Sequence, residues 1–359
     1  MVKISATIDS VQVMRAFATV SVLFFHGTHI IDNKLNFLFL NNFFDAGYSG
    51  VDVFFVISGF IILHTCMGKD FNAFTFLKKR FVRIYPVYWV VTLAVIIAYQ
   101  IAPEGVQPYK EDWRIILGSL ALVPQKIYII GIAWTLTFEL LFYVVFAVAY
   151  SIGKKFLFAV LFVWAAVILA LYAADVKPAS VALNMLVNPI IIEFFFGCLI
   201  AYFYNRYREF KYHYILSTIG FMWFAVNWVI YWMAKNNDAN AFSTYISRLY
   251  LFGVPAAILI SGIVFYKKSI APLFVYIGNA SYSLYLIHGT VISILIKILF
   301  VLKIQTYFAN NIGSVAILLA TVLIGCAFYR FVEAPIIGLF KSKKGDKPAS
   351  ATSVTSATV

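Results

Sequence analysis

Charged residues are scarce in this chain: Asp, Glu, Lys and Arg make up only 12% of its 359 residues, against about 25% in soluble domains. Hydrophobic residues account for 63% of the sequence, and the mean hydropathy is +0.89. So few charges leave too little polar surface for an ordinary water-soluble globule. The composition therefore excludes a soluble domain and predicts a membrane protein.

Cysteine is also rare, with three residues in the whole chain. Cys66, Cys198 and Cys326 lie in or beside separate apolar segments and form no CxxC pair. We interpret them as small buried side chains. No spacing typical of metal ligands occurs, so we predict no metal site.

Acidic residues are the scarcer charge, 15 against 28 basic residues, and the net charge is +13. Such an excess can indicate nucleic-acid binding, but here the basic residues cluster in short loops between apolar segments. Seventeen of the 28 fall in loops on one predicted side, and eight, Arg248 among them, fall on the other. This positive-inside pattern predicts both termini in the cytoplasm and no nucleic-acid partner.

Long apolar segments recur along the chain, and segments above ~18 residues favour helices over the alternating strands of a barrel. We predict an all-α integral membrane protein with about ten transmembrane helices around a central cavity. The predicted spans are residues 11–31, 48–67, 84–102, 133–152, 156–173, 184–204, 215–234, 249–266, 278–300 and 312–331.

Two further segments complete the organisation. Residues 113–130 are apolar but broken by Gly118 and Pro124, which predicts an interfacial or re-entrant piece rather than a full span. From Lys341 onward the sequence turns small, polar and basic. We predict one membrane domain over residues 1–340 and a disordered cytoplasmic tail over 341–359.

The first apolar segment contains two ionisable residues, Arg15 and His26. Their spacing places both on one helix face with a rise of about 16 Å between them. A cation near one membrane surface is thus aligned with an imidazole roughly halfway across. Ionisable groups in hydrocarbon are costly and usually face a protein interior or a wet cavity, so this pair is a candidate functional site.

Two further patterns lie in the second predicted span and on the cytoplasmic side just before the third. Asp52 sits among glycines in GYSGVDVFFVISGF, which is typical of closely packed helices or of room for a ligand. Arg80 and Arg83 are neighbours on one helix face, with Pro86 predicted to open the next helix. Two guanidinium groups so placed can bind a phosphate, although an ordinary positive-inside cluster would look the same.

Polar residues are also embedded in two later spans and after the last one. Glu139 has Thr135 and Tyr143 on its helix face, and Trp134 is predicted to mark the outer interface. In the ninth predicted span, polar residues form a stripe along one helix face. These residues either make hydrogen bonds between helices or line a cavity, and they are Ser281, Tyr285 and His288. Beyond the tenth span, Glu333 is spaced for a surface ion pair with Arg330.

Taken together, these segments resemble the membrane acyltransferase-3 family, which O-acylates bacterial O-antigens, exopolysaccharides and related glycans. The resemblance spans about residues 8–340. Its motifs occur in family order: Arg15-x10-His26, GVDVFFVISGF at 50–60, RFVRIYPVYW at 80–89, WTLTFELLFY at 134–143, SYSLYLIH at 281–288 and YRFVEAP at 329–335. The form of the fourth motif is most similar to the exopolysaccharide O-acetyltransferase branch.

The resemblance implies an acyltransferase that takes an acyl group, most often acetyl, from cytoplasmic acyl-CoA to a carbohydrate hydroxyl. It implies acetyl-CoA as co-substrate and no tightly bound cofactor. In the family the Arg and His of the first motif, here Arg15 and His26, are required for transfer. The RxxR element, here Arg80 and Arg83, is linked to the donor, and Glu333 is also expected to matter.

On this basis we predict Arg15, His26 and Glu333 as catalytic residues, and Arg15, Arg80 and Arg83 as donor-binding residues. Substrate binding is assigned to the other embedded polar or interfacial residues: Asp52, Trp134, Glu139, Tyr143, Ser281, Tyr285 and His288. The expected location is the bacterial inner membrane. The expected partners are acyl-CoA, a glycan or lipid-linked saccharide, membrane lipid, and either polysaccharide-assembly proteins or a second copy of the chain.

Two other functions fit the same pattern. A transporter or flippase for a polar or lipid-linked solute also predicts many helices with buried charges, but it gives no reason for an arginine pair at the inner mouth. A non-catalytic assembly subunit would tolerate replacement of His26. Within the enzyme hypothesis, direct transfer with His26 as general base and relay through a covalent acyl intermediate both remain open.

Overall fold

The computed structural model describes residues 8–101, 112–207, 209–237 and 248–340, and within these ranges it contains helices and loops but no strand. In chain order the α-helices of the described part are α1 Asp9–Leu35, α2 Gly50–Cys66, α3 Ala73–Ile101, α4 Trp113–Ala121, α5 Trp134–Ile152, α6 Lys154–Ala173, α7 Val181–Leu186, α8 Ile192–Tyr207, α9 His213–Asn237, α10 Val254–Ile263, α11 Pro272–Asn279, α12 Ser281–Val301, α13 Gln305–Phe308, α14 Asn311–Phe328 and α15 Ala334–Leu339. Short 3₁₀ or π-helical turns connect several of them.

Among the described residues, eight helical stretches are long and apolar enough to cross a membrane. They are Asp9–Leu35, Phe39–Cys66, Ala73–Ala98, Gly131–Ile152, Lys154–Ala173, His213–Lys235, Ser281–Val301 and Asn311–Leu339. At the other two predicted spans the helices are shorter: α8 has 16 residues, and the apolar stretch Leu249–Ile263 ends three residues before the predicted boundary. The all-helical membrane architecture is therefore confirmed. The count of ten spans and the cytoplasmic termini stay predictions, and the tail 341–359 lies outside the described residues.

Helix α3 begins eleven residues earlier than the predicted span at 84 and runs unbroken through Pro86. The prediction that Pro86 opens a helix was wrong, because a proline inside a long helix removes one hydrogen bond while the flanking turns remain packed. As a consequence, Arg80 and Arg83 lie on a rigid helix and not in a loop. This fixes the direction of both side chains.

Helix α4 has nine residues and is too short to span a membrane, as predicted for residues 113–130. Its last carbonyl groups have no partner within the helix. Three side chains of α3 donate to these carbonyls: Tyr88 Oη to Ser119 at 2.8 Å, Trp89 Nε1 to Leu120 at 2.8 Å and Tyr85 Oη to Ala121 at 2.9 Å. These bonds allow a helix to end against another helix in an apolar environment, where free carbonyls are costly.

The glycines around Asp52 permit close helix packing. A side chain at Gly50 would overlap the carbonyl of Ala18 on α1, and one at Gly59 would overlap the carbonyl of Phe194 on α8. The aromatic ring of Phe194 is in turn stacked between Phe55 and Phe142, with centroids 4.5 and 4.6 Å away. Helices α1, α2, α5 and α8 are thereby held together along α2.

Two π-helical turns, Leu249–Gly253 and Tyr329–Glu333, each precede a proline by two residues. A proline ring clashes with the carbonyl four residues earlier in a regular α-helix, and a wider turn relieves this clash. The first turn directly follows Arg248, and the second ends at Glu333. Both turns therefore set the direction of a charged side chain within the bundle.

Candidate active site

A cavity of about 230 Å³ lies within the bundle, between α1, α2, α3, α5 and α12. Apolar side chains such as Phe54 form part of its wall. Its polar lining is unusually rich for an apolar protein and consists of Arg15, Ser58, Arg80, Arg83, Thr135, Glu139, Tyr143, Ser281, Tyr282 and Tyr285. Seven of the predicted site residues are in this set, so the sequence motifs converge on one space.

The three arginines of the cavity differ in their partners. Arg83 forms an ion pair with Glu333. Arg15 donates to Gln12 Oε1 at 3.1 Å, and the guanidinium of Arg80 lies over the rings of Phe76 and Tyr143. Within the described part of the chain, neither Arg15 nor Arg80 has a carboxylate within ion-pair distance. Two positive charges therefore face the cavity without a protein counter-ion.

Arg80 is only loosely held. Its Nη2 is 3.4 Å from Thr65 Oγ1, and its Nε is buried without a hydrogen-bond partner in the described residues. A buried donor without a partner is costly. This guanidinium is therefore available to bind an anion that enters the cavity.

Glu333 is fully buried and is held from two sides. Besides Arg83, its carboxylate accepts hydrogen bonds from the backbone N–H of Ser283 at 3.1 Å and from Ser283 Oγ at 2.6 Å. Ser283 lies in the first turn of α12, where the helix dipole favours a negative charge. The predicted surface pair of Glu333 with Arg330 was wrong, because the π turn directs Glu333 into the bundle while Arg330 is exposed.

Glu139 belongs to a small polar cluster on the opposite wall. Its Oε1 accepts a hydrogen bond from Ser58 Oγ at 2.7 Å and another from the hydroxyl of Tyr143. The predicted position of Tyr143 on the helix face of Glu139 agrees with this contact. The carboxylate thus faces the same cavity as Arg15 and Arg80 and offsets part of their charge.

The cavity ends at Tyr285 on α12. The hydroxyl of Tyr285 is 2.9 Å from Thr135 Oγ1 on α5, and its ring lies edge-on to Phe54 with centroids 5.9 Å apart. Four residues earlier, Ser281 lines the cavity with a buried Oγ that has no partner among the described residues. The hydrogen bond between Tyr285 and Thr135 therefore links α12 to α5 at the cavity wall, on the side where Tyr285 also lies next to His288.

His26 does not line this cavity, in contrast to the expectation from its alignment with Arg15. It lies next to His288, with ring centroids 5.2 Å apart, and the ring of His288 lies 6.0 Å from that of Tyr285. His288 is 2% exposed, whereas His26 is half-buried. The two histidines thus form a separate layer beyond Tyr285, on the far side of the cavity from the arginines.

Comparison of the sequence with known protein families classifies this chain. The sequence model of an acyltransferase domain family, Acyl_transf_3, matches residues 8–330. The chain belongs to the acyltransferase-3 family.

Three curated relatives illustrate the range of this similarity. The exopolysaccharide production protein ExoZ of Rhizobium meliloti is 30% identical over 316 residues, which cover 82% of this chain and 90% of ExoZ. The O-acetyltransferase OatA of Staphylococcus aureus is 24% identical over 93% of this chain and 57% of OatA. The acyltransferase MdmB of Streptomyces mycarofaciens is 33% identical over 117 residues, about 30% of either chain. No solved structure matches.

As an acyltransferase-3 protein the chain is a transferase with several apolar helices, which is typical of a multi-pass membrane protein. Three residues assigned to substrate binding lie outside its cavity lining: His288, which belongs to the histidine layer, and also Asp52 and Trp134. Asp52 forms a bidentate pair with Arg248, with Nε–Oδ1 and Nη2–Oδ2 distances of 2.9 Å. Trp134 packs edge-on against Phe138, 5.8 Å between centroids.

The sequence analysis of this acyltransferase-3 protein missed three contributors. Arg248 was predicted in an outer loop, yet its side chain is 13% exposed and bound to Asp52. Ser58 and Tyr282 line the cavity within recognised motifs, but neither was singled out. Glu193, unassigned from the sequence, is fully buried, and no hydrogen bond to either carboxylate oxygen is found among the described residues.

Proposed function

We propose that this protein is an integral-membrane O-acyltransferase that transfers an acyl group, most simply acetyl, from cytoplasmic acyl-CoA to a hydroxyl of a cell-surface or exported glycan. The observation that carries the proposal is the cavity that Arg15 and Arg80 face, neither of them with a carboxylate partner among the described residues. Acyl-CoA is a polyanion, and guanidinium groups bind phosphate oxygens with two parallel hydrogen bonds. The family membership and the similarity to a named O-acetyltransferase support the same reaction.

The donor enters in this proposal from the end of α3 that carries Lys78 and Lys79, the side that the charge distribution predicts as cytoplasmic. At about 230 Å³ the cavity is smaller than the ~300–1,000 Å³ of typical small-molecule sites. It therefore takes the acyl-pantetheine arm, while the adenine nucleotide stays at the mouth. Arg80 and Arg83 hold phosphate oxygens there, and Arg15 lies farther along the same space.

The transfer joins the acyl carbonyl carbon to the acceptor oxygen and breaks the C–S bond of the thioester. His26 accepts the hydroxyl proton as the tetrahedral intermediate forms, and that proton then neutralises the departing CoA thiolate. The acyl group reaches the histidine layer when the hydrogen bond between Tyr285 and Thr135 opens. The acceptor approaches from the opposite side, so the closed state keeps the thioester apart from water and glycan until an acceptor is present.

The proposed setting follows from this arrangement. Acyl-CoA is made in the cytoplasm, whereas surface glycans are assembled at or across the membrane, so the enzyme works in the bacterial inner membrane. The acceptor is a glycan or a lipid-linked saccharide. Polysaccharide-assembly proteins or a second copy of the chain are its proposed protein partners.

The experiment uses the full-length protein in lipid nanodiscs with acetyl-CoA labelled in the acetyl group. The acceptor probe is cell-envelope glycan from the source organism, de-O-acetylated with mild base. We expect the label to appear on glycan in alkali-labile ester linkage. His26→Ala should abolish this label while labelled acetyl-CoA still binds.

The matched control is His29→Ala. His29 lies one helical turn from His26, and its neighbour Asp45 keeps an ion pair with Lys235 at 2.6 Å when the imidazole is removed. We expect this variant to transfer the label at the wild-type rate. A transporter or flippase would leave all label on CoA, and an assembly subunit would be indifferent to His26→Ala; either result would overturn the proposal.

A further inference from the structure

His288 makes hydrogen bonds that define which of its ring nitrogens carries a hydrogen. Nδ1 lies 2.7 Å from the carbonyl oxygen of Tyr285 and 3.2 Å from that of Leu284. Carbonyl oxygens only accept hydrogen bonds, so Nδ1 must be the donor. In the neutral ring the free lone pair is therefore on Nε2.

The group that His288 faces is another imidazole. The rings of His26 and His288 are 5.2 Å apart between centroids and tilted by 38°. Within the described part of the chain, Asp45 pairs with His29 and Lys235, and neither His26 nor His288 has a carboxylate within ion-pair distance. An acidic residue therefore does not orient His26, in contrast to the arrangement in many catalytic triads.

We propose that His288 is a positioning residue for His26: its Nε2 accepts the N–H of His26 and so directs the other nitrogen of His26 at the acceptor hydroxyl. The inference rests on the proposed function, because it concerns how His26 acts as the base. A small rotation of the half-buried ring of His26 brings the two nitrogens into contact, whereas His288 is held by its backbone bonds.

The proton balance of this pair is simple. The hydroxyl proton moves to the free nitrogen of His26 as the C–O bond forms. The positive charge that results is shared across the N–H···N bond with His288. Two cationic rings at this separation would repel each other strongly in an apolar interior. The pair therefore holds one extra proton, which returns to the CoA thiolate as the C–S bond breaks.

The geometry also explains the position of the pair relative to the cavity. His288 lies one turn beyond Tyr285 on α12, and the backbone carbonyl of Tyr285 is the acceptor that fixes its tautomer. The residue that closes the cavity and the residue that orients the base are thus on one rigid helix. The base therefore keeps its orientation while the side chain of Tyr285 opens and closes.

The kinetic test compares His288→Phe, which keeps the ring shape, with His288→Gln, which keeps a polar acceptor. In nanodiscs, with labelled acetyl-CoA and de-O-acetylated glycan, we expect His288→Phe to lower kcat by about 100-fold or more. The KM for acetyl-CoA should stay within about twofold, and His288→Gln should recover part of kcat. A structural role would lower the amount of folded protein instead and leave kcat of the folded fraction unchanged.

A double substitution separates positioning from an independent effect. Because His288 acts through His26, adding His288→Phe to His26→Ala should leave the residual transfer, followed in prolonged incubations with excess enzyme, unchanged. A further loss in the double variant, or a wild-type kcat in His288→Phe, would overturn the inference. Failure of the proposed function is distinguishable, since in that case the wild-type protein itself transfers no label.

A second measurement does not depend on activity. The chain has five histidines, so ¹⁵N-histidine labelling with single substitutions allows their assignment by solid-state NMR in nanodiscs. We expect neutral His288 to show a protonated Nδ1 and a bare Nε2, with a through-space contact to His26. The opposite tautomer at His288 would refute the inference irrespective of kinetics.

Discussion

Arg83 and Glu333 form a buried ion pair although they are 250 positions apart in the sequence. The pair joins α3 to the π turn that precedes α15, and Ser283 adds the start of α12 through two hydrogen bonds. One carboxylate therefore fixes three helices at the mouth of the cavity. Of the arginines that line the cavity, Arg83 is the one with a carboxylate partner in the described chain. Arg83 therefore joins helices through its ion pair, whereas Arg80 is available to bind an anion.

Glu333→Gln should destabilise the protein. The substitution leaves Arg83 without its counter-ion, and breaking a buried pair costs about 3–5 kcal/mol. Thermal unfolding in detergent, followed with a thiol-reactive or intrinsic fluorophore, should show a lower Tm. Arg330→Gln is the matched control, because Arg330 is exposed and should leave Tm unchanged. An equal fall in both variants would contradict the assigned pairing.

Arg80→Gln should weaken donor binding without loss of stability. Arg80 has no carboxylate partner among the described residues, so its removal leaves no buried charge uncompensated. A hydrogen bond to a charged group contributes about 1.5–3 kcal/mol, which corresponds to an increase in the Kd for CoA of roughly tenfold or more. Lys79→Gln, one position away, is the control and should change Kd little. A large fall in Tm of Arg80→Gln would instead indicate a structural role.

Tyr285→Phe should raise acceptor-independent release of CoA from acetyl-CoA. The substitution removes the hydroxyl that bonds Thr135 and keeps the ring against Phe54. A net hydrogen bond of about 0.5–1.5 kcal/mol predicts a rise of roughly two- to tenfold. Free thiol release without glycan is the measurement. Thr92→Val, which removes only a local bond to Tyr88 on α3, should release CoA at the wild-type rate; the same rise in both variants would contradict a gate.

Asp52→Asn and Arg248→Gln should each lower Tm, because each leaves its former partner buried with an uncompensated charge. The double variant should be more stable than the sum of the single losses predicts, since neither charge then remains. Arg330→Gln is the control: Arg330 is exposed and has no ion pair among the described residues, so its Tm should stay close to wild type. Additive losses in the double variant would show that Asp52 and Arg248 act independently.

Gly59→Ala should separate α2 from α8 and lower Tm, because the added methyl group would overlap the backbone of Phe194. Gly289→Ala is the control on α12, where nothing lies within 4 Å of the added atom. Alanine is favoured over glycine in helices by about 1 kcal/mol, so this control should keep or slightly raise Tm. A similar Tm for both variants would argue against close packing at Gly59.

The sequence by itself determined the membrane class, the positions of most helices, and relationships within one helix. Arg15 shares a helix face with His26, and Tyr143 shares one with Glu139. The periodicity of a helix places such residues on one face irrespective of the rest of the chain. The motifs left open whether the polar stripe of the ninth predicted span lines a cavity, and in the structure Ser281 and Tyr285 line the cavity of the arginines whereas His288 does not.

Only the tertiary structure decided which helices contact each other and at what depth in the bundle their residues meet. Glu333 pairs with Arg83 and not with Arg330, Asp52 pairs with an arginine predicted in a loop, and Tyr285 separates His26 from the cavity. The physical reason is that local periodicity fixes the face of a helix, whereas the rotation and depth of each helix depend on backbone contacts at glycines such as Gly59 and on π turns before prolines. Those contacts join residues far apart in the chain, so the pattern of any one segment does not contain them.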